Sequence, residues 1–319
     1  MHIFDAHNDT LLKLLEAGSH QDLNSIADSH VNLEKLKAGQ IKTAIFAIYV
    51  PESYRFGLAL HKALLMVDIF WQNFHKYQSD LLPILSITDL AKVRNSGKIG
   101  GILSLEGGEA LEGSLANLRN FYRLGVRGLT LTWNNRNQLA DGVGEGEQAQ
   151  GLSKFGLEVV EAMNQLGMFI DVSHLAEKGF WQVLKISKAP VIASHSNSRT
   201  LCAHPRNLTD IQIKALADQG GVIGVNFYPY FVKEPANEVD LVAVADQIEY
   251  LLKVGGTDSV GIGSDFDGIS CVPKELEDIS KIPRLIDELK KRKFSEAVIE
   301  KIIGGNFFRV IEEIFSKSS

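Results

Sequence analysis

The chain has 319 residues, and 33 lysines and arginines against 39 aspartates and glutamates give it a formal net charge of −6. Its 45% hydrophobic and 23% charged residues are typical of a globular protein and exclude disordered, collagen-like and membrane-embedded chains. The acidic balance, with no long basic run, argues against a nucleic-acid partner. The two cysteines, Cys202 and Cys271, form no metal-binding spacing.

Eight short apolar runs rich in β-branched residues recur along the chain, and segments with helical periodicity separate them. Most of the runs are continuously apolar, as expected for parallel strands buried on both faces. The sequence therefore predicts a (β/α)8 TIM-type barrel, with residues 1–319 as a single domain. The predicted strands are 2–6, 42–50, 100–105, 126–132, 168–172, 190–193, 221–227 and 260–263.

Helices are predicted independently of the strands. Residues 58–77 and 241–252 repeat apolar side chains at helical spacing. Thr209 and Gln212 form a capping-box pattern, and Gly167 lies where a helix should end before a strand.

Residues 134–151 break this alternation, because they contain four glycines among polar residues and no apolar period. We predict a loop there, and the sequence leaves open whether it is a mobile lid or a solvated insertion.

Neither end of the chain carries a recognisable targeting signal, and no apolar run reaches about 18 residues. We therefore expect a soluble, cytoplasmic protein without a membrane partner. A homo-oligomer is left open.

The first predicted strand ends in Asp5-Ala6-His7-Asn8-Asp9. In extended backbone His7 and Asp9 point to the same side and can share a cation, although a polar strand end is the alternative. Glu106 follows the third strand and precedes two glycines. A buried carboxylate needs a partner, which is either a cation or an arginine. Its two oxygens allow it to bridge two metals.

The fifth and sixth strands both end in Ser-His, at His174 and His195. Neighbouring strands place their ends side by side, so the two imidazoles can meet at one metal. Asp265 follows the eighth strand and is a candidate proton carrier, with a turn-forming role as the alternative. Arg206 follows the sixth strand and either clamps a carboxylate or forms a surface salt bridge.

Over nearly its whole length the sequence resembles the membrane dipeptidase (renal dipeptidase-like) family of zinc peptidases, amidohydrolase-type barrels. Each matching segment is weak alone, but their order is specific. They are Asp5-Ala6-His7-Asn8-Asp9, Glu106-Gly107-Gly108, Asp171-Val172-Ser173-His174, Ser194-His195-Ser196, His204-Pro205-Arg206-Asn207, Ser264-Asp265-Phe266-Asp267-Gly268 and Gly305-Asn306-Phe307-Phe308-Arg309-Val310.

The resemblance implies a binuclear zinc site in which His7 and Asp9 hold one metal, His174 and His195 hold the other, and the catalytic residue Glu106 bridges them. It further implies that Arg206 binds the carboxylate of a dipeptide substrate and that Asp265 contacts the substrate and carries the proton. The expected nucleophile is a hydroxide between the two metals. It forms because the metals lower the pKa of their bound water to about 7.

One position departs from the family pattern. Members often carry a histidine near the end of the fourth strand, where this chain has Trp133. An indole cannot ligate zinc, but it donates one N–H and offers an apolar wall for substrate binding.

Two rival functions remain at this stage. The same metals would serve a hydrolase that opens cyclic amides or lactones, and a metal-binding barrel without turnover is the rival outside enzymes. Other divalent ions also suit mixed nitrogen and oxygen ligands.

Overall fold

The computed structural model describes residues 2–18, 22–26, 28–54 and 57–317. Its single sheet is parallel throughout, and eight of its nine strands close into a barrel in the order β2-β1-β9-β8-β7-β6-β5-β4, with β4 returning to β2. The predicted (β/α)8 barrel is therefore confirmed. The strands are β1 Ile3–Asn8, β2 Ile41–Tyr49, β3 Leu81–Pro83, β4 Ile99–Glu106, β5 Val126–Thr130, β6 Phe169–Asp171, β7 Ile192–Ala193, β8 Val222–Val225 and β9 Val260–Ile262.

The eight barrel strands coincide with the eight predicted runs, although several are shorter. β7 retains only two residues of the predicted 190–193, and β5 ends at Thr130. The sequence did not predict β3, a three-residue strand that ends in a proline and pairs only with β4 at the outside of the barrel.

Helices surround the barrel. The predicted helices 58–77 and 241–252 are observed with slightly different ends, and both halves of the Thr209–Gln212 capping box are present. Gly167 ends its helix with a φ of 67°, a conformation that glycine adopts without strain. The helices are α1 Thr10–Ala17, α2 Leu33–Ala38, α3 Ala59–Lys76, α4 Ile87–Arg94, α5 Leu115–Arg123, α6 Lys154–Leu166, α7 Glu177–Ile186, α8 Asp210–Asp218, α9 Pro229–Val232, α10 Leu241–Gly255, α11 Ile282–Lys291, α12 Glu296–Glu300 and α13 Asn306–Ser316.

The inside of the barrel is filled by apolar side chains and closed at one end by α13. Ile45, Ile102 and Phe169 belong to a buried cluster with Phe4. Phe307 of α13 stacks on Phe4 near the start of β1, at a ring separation of 5.3 Å. The amino-terminal end of the barrel is therefore closed. A functional site can form only at the opposite end, where the carboxyl ends of the strands lie.

Residues 134–151 form an irregular segment that is anchored to the barrel. Leu139 is fully buried, and the side chain of Arg136 pairs with buried Asp141. Gly142 also forms an isolated bridge to Leu175 beyond β6. These contacts exclude a purely solvated insertion, while movement as a lid stays a prediction.

Within the part of the chain that the structure describes, no helix combines the length and apolar character that crossing a membrane requires.

Candidate metal centre

Polar side chains from five strand ends meet at the open end of the barrel. All five metal ligands predicted from the sequence are buried there, and Asp265 lies half-buried beside them. They form two groups in which the potential ligand atoms lie within 4.8 Å of one another. We call His7, Asp9 and Asp265 the first trio, and Glu106, His174 and His195 the second trio.

Glu106 joins the two trios through its separate carboxylate oxygens. Its Oε2 lies 3.4 Å from Nε2 of His7, and its Oε1 lies 3.1 Å from Nε2 of His174 and 3.6 Å from Nε2 of His195. One oxygen therefore faces each trio. This is the arrangement that a carboxylate bridging two cations requires.

Hydrogen bonds fix the tautomers of the two histidines in the second trio. Nδ1 of His174 donates to Oδ1 of Asn134 at 2.8 Å, which leaves a lone pair on its Nε2. The Ser194 hydroxyl donates to Asp171, so it accepts from Nδ1 of His195 at 2.7 Å. Nε2 of His195 therefore also carries a lone pair.

These lone pairs crowd one point in space. The Nε2 atoms of His174 and His195 lie 2.8 Å apart, and both face Oε1 of Glu106. Burial, together with the charges of Arg206 and His7, lowers the pKa of both histidines well below its usual value, so both rings are neutral. Three electron-rich atoms this close repel one another, and a cation among them would remove the repulsion.

The first trio has the same deficit of positive charge. Nε2 of His7 and Oδ1 of Asp9 are buried without a hydrogen-bond partner among the described residues. Burial opposes protonation of His7, but Glu106 and Asp9 raise its pKa well above the usual value. Burial also raises the pKa of Glu106 to about 7. Buried, unpartnered ligand atoms among carboxylates fit a divalent cation.

Asp171 lies beside these groups, but it does not suit a metal. It approaches His7 and His195, yet its carboxylate already accepts hydrogen bonds from Thr130, from both donors of Ser194 and from the Ser173 backbone. With its lone pairs occupied, Asp171 orients His195 through Ser194 instead. Sequence reasoning gave it no role, although it lies in the matching segment Asp171-Val172-Ser173-His174.

Asp265 is held in the first trio by its backbone and by an amide. Its φ of 62° is left-handed, and its Oδ2 accepts a hydrogen bond of 2.8 Å from Asn226. Burial raises the pKa of Asp265 to about 6. A Cβ on Gly268 would lie 2.1 Å from Oδ2 of Asp9 and 2.7 Å from Oδ1 of Asp265, so only glycine lets these acids approach.

Arg206 lies beside the second trio with only 4% of its surface exposed. One guanidinium nitrogen donates to the carbonyl of His195 at 2.9 Å, while Nε is buried without a partner. It makes no ion pair within 4 Å among the residues that the structure describes, and its pKa falls to about 10 because it is buried. The alternative of a surface salt bridge is therefore wrong.

Trp133 forms part of a wall at the second trio. Its ring centroid lies 6.0 Å from that of His174 and 5.3 Å from that of Tyr49 at the end of β2. The structure thus brings every predicted site residue to one end of the barrel. Sequence reasoning missed Tyr49 and Asn226, and it assigned no role to Asp171.

This chain is similar to a known protein family, to several dipeptidases and to solved metallopeptidase structures. A family model described as membrane dipeptidase (peptidase family M19) matches residues 1–318. An uncharacterised dipeptidase of Schizosaccharomyces pombe is 36% identical over 97% of this chain and 79% of its own, and the dipeptidase verJ of Clonostachys rogersoniana is 33% identical over 98% and 84%. A metallopeptidase structure from Rhodobacter sphaeroides, liganded with a phosphinate mimic of the dipeptide L-Ala-D-Ala, has a TM-score of 0.93 and 28% identity, covering 98% of this chain and 99% of its own.

Proposed function

Since this chain belongs to the membrane dipeptidase family, peptidase family M19, and is a metallo-dipeptidase, we propose that it cleaves free dipeptides with two zinc ions bound at the two trios. The observation that carries this proposal is the convergence of both trios on Glu106, one carboxylate oxygen to each. His7 and Asp9 would hold one cation, His174 and His195 would hold the other, and Glu106 would offer one carboxylate oxygen to each. Zinc suits these nitrogen and oxygen ligands, although manganese or cobalt would also fit.

When bound, two divalent cations would supply an activated water and polarise the scissile carbonyl. The chain's own groups manage the protons. Asp265 accepts the proton of the attacking water at one carboxylate oxygen while Asn226 holds the other, and it then passes the proton to the departing amine.

Arg206 explains why the substrate is a free dipeptide. Its buried Nε has no protein acceptor in the described residues, and a carboxylate is the group that a guanidinium binds best. The substrate's terminal carboxylate fills this role. The dipeptide mimic bound by the Rhodobacter sphaeroides relative supports the same substrate class.

Trp133 would offer an apolar surface to the bound substrate. Its ring stands 6.0 Å from His174, next to the second trio. It therefore contacts the side chain or carbonyl of a dipeptide bound between Arg206 and the metals.

The test is turnover of a panel of L,L and L,D dipeptides by the zinc-loaded enzyme, measured beside lactones, lactams and cyclic amides. We expect hydrolysis of free dipeptides and none of the cyclic substrates. Preferential ring opening would support the other amidohydrolase reaction. Zinc binding without turnover of any substrate would identify a non-catalytic barrel.

A further inference from the structure

Tyr49 stands at the last residue of β2, beside the residue that joins the two trios. In the pairing of β2 with β4, Tyr49 is in register with Glu106. Ile45 of β2 and Ile102 of β4 both belong to the cluster inside the barrel. Because side chains alternate along a strand, Tyr49 and Glu106 lie on the same inward face as these residues.

The Tyr49 ring continues the wall formed by Trp133. The two centroids are 5.3 Å apart, and Trp133 in turn lies 6.0 Å from His174. The wall therefore extends from Tyr49, the strand neighbour of Glu106, to His174. Tyr49 is only half-buried, so its ring borders open space at the mouth of the barrel.

The Tyr49 hydroxyl is available to donate a hydrogen bond to a ligand. No hydrogen bond from it to a protein group occurs within the described ranges of the chain. Burial raises its pKa, and the negative charges of Glu106 and Asp9 raise it further, so the phenol keeps its proton.

The chemistry at this site can use such a donor in addition to the cations. The carboxylates of the trios only accept hydrogen bonds, and their imidazoles would be occupied by the cations, so neither would donate to a substrate carbonyl. When water adds to the scissile carbonyl, its oxygen becomes an oxyanion, and a donor placed at that oxygen stabilises the transition state more than the substrate.

We propose that the Tyr49 hydroxyl donates a hydrogen bond to the carbonyl oxygen of the bound dipeptide as that oxygen becomes negative. Tyr49 is thus a catalytic residue, and this inference rests on the proposed function. Trp133 supports the ring of Tyr49 and shields the hydrogen bond from water. No bond to Tyr49 forms or breaks, and its proton stays on the phenol.

The test compares Tyr49→Phe with two other variants. Tyr250→Phe is the matched control, because it too replaces a tyrosine by phenylalanine. The hydroxyl that it deletes lies on the outer helices and donates to Asp210 at 2.8 Å. Trp133→Phe removes the indole N–H but keeps an aromatic ring. For each variant, kcat, KM, bound zinc and the inhibition constant of a phosphinate dipeptide analogue are measured, since the phosphinate resembles the tetrahedral oxyanion.

We expect Tyr49→Phe to lower kcat by about 10²-fold and to weaken phosphinate binding by a similar factor, with KM and bound zinc unchanged. Tyr250→Phe should behave as the unaltered enzyme. A structural role of Tyr49 would instead change zinc content or KM.

Three results would overturn the proposal while leaving the dipeptidase function intact. These are unchanged kcat in Tyr49→Phe, a loss of kcat without weaker phosphinate binding, and a loss confined to Trp133→Phe. An unaltered enzyme that cleaves no dipeptide would overturn the proposed function as well.

Discussion

At the scale of single residues, the site combines groups that would destabilise the folded protein if no ligand were bound. Among the described residues, His7 and Asp9 are buried with unsatisfied atoms, and Arg206 is a buried cation that makes no ion pair within 4 Å. Each such group destabilises the folded protein by roughly 1–3 kcal/mol or more. A dipeptidase would recover this free energy if cations bind the acids and a substrate carboxylate binds the arginine, as proposed here.

Replacing Asp265 with asparagine separates proton transfer from metal binding. The variant keeps the shape and an oxygen but loses the basic carboxylate. We expect Asp265→Asn to retain bound metal and to lose about 10²- to 10⁴-fold in kcat. Unchanged dipeptide turnover, measured beside metal analysis, would remove Asp265 from the mechanism.

Replacing Arg206 with alanine tests the carboxylate clamp. Charge-assisted hydrogen bonds contribute about 1.5–3 kcal/mol, so KM for free dipeptides should rise about 10- to 100-fold. KM for C-terminally amidated dipeptides should change far less, because these substrates carry no carboxylate. Equal effects on both substrate series would contradict the clamp.

Replacing Gly268 with alanine tests how closely the two acids of the first trio must approach. The added Cβ would lie 2.1 Å from Oδ2 of Asp9, so the acids must separate. We expect weaker metal affinity, measured by competition with a chelator. Gly97→Ala is the control, since its Cβ would meet nothing within 4 Å. Equal metal affinity in the two variants would show that the first trio tolerates displacement.

At the scale of elements, strand ends were the part of the site that the sequence predicted well. Continuous apolar runs mark buried parallel strands, and the polar residue that ends each run marks the barrel mouth. His174 and His195 were found in this way. Tyr49 was missed because its role depends on the register between β2 and β4, and a local pattern does not encode that register.

The strand lengths could not be predicted for a related reason. β7 keeps only Ile192 and Ala193, and the backbone that follows it packs closely against β8 and β9. A Cβ on Gly224 of β8 would lie 2.0 Å from the carbonyl oxygen of Ser194. Such contacts depend on three strands meeting at once.

This packing predicts the effect of Gly224→Ala. The methyl group would push against backbone, which cannot move like a side chain, so we expect the free energy of unfolding to fall by about 3 kcal/mol. The displaced residue, Ser194, also orients His195 through a hydrogen bond, so the affinity for metal should fall together with the stability. Urea denaturation beside Gly97→Ala measures the first effect, and equal midpoints would contradict it.

At the scale of the whole molecule, the barrel gathers ligands from the beginning, middle and end of the chain at one rim. α13 closes the opposite end through Phe307 and Phe4. Cations that bind only the folded state should therefore stabilise the entire barrel, by about 2.7 kcal/mol per site at a hundredfold excess over Kd.

Metal titration of chelated enzyme tests the binuclear centre most directly. Zinc is added back in fractions of an equivalent, and dipeptide turnover and the midpoint of thermal unfolding are followed together. We expect both to rise and to reach their plateau at two equivalents per chain. Full turnover in the chelated enzyme, or a plateau at one equivalent, would contradict a catalytic metal pair bridged by Glu106.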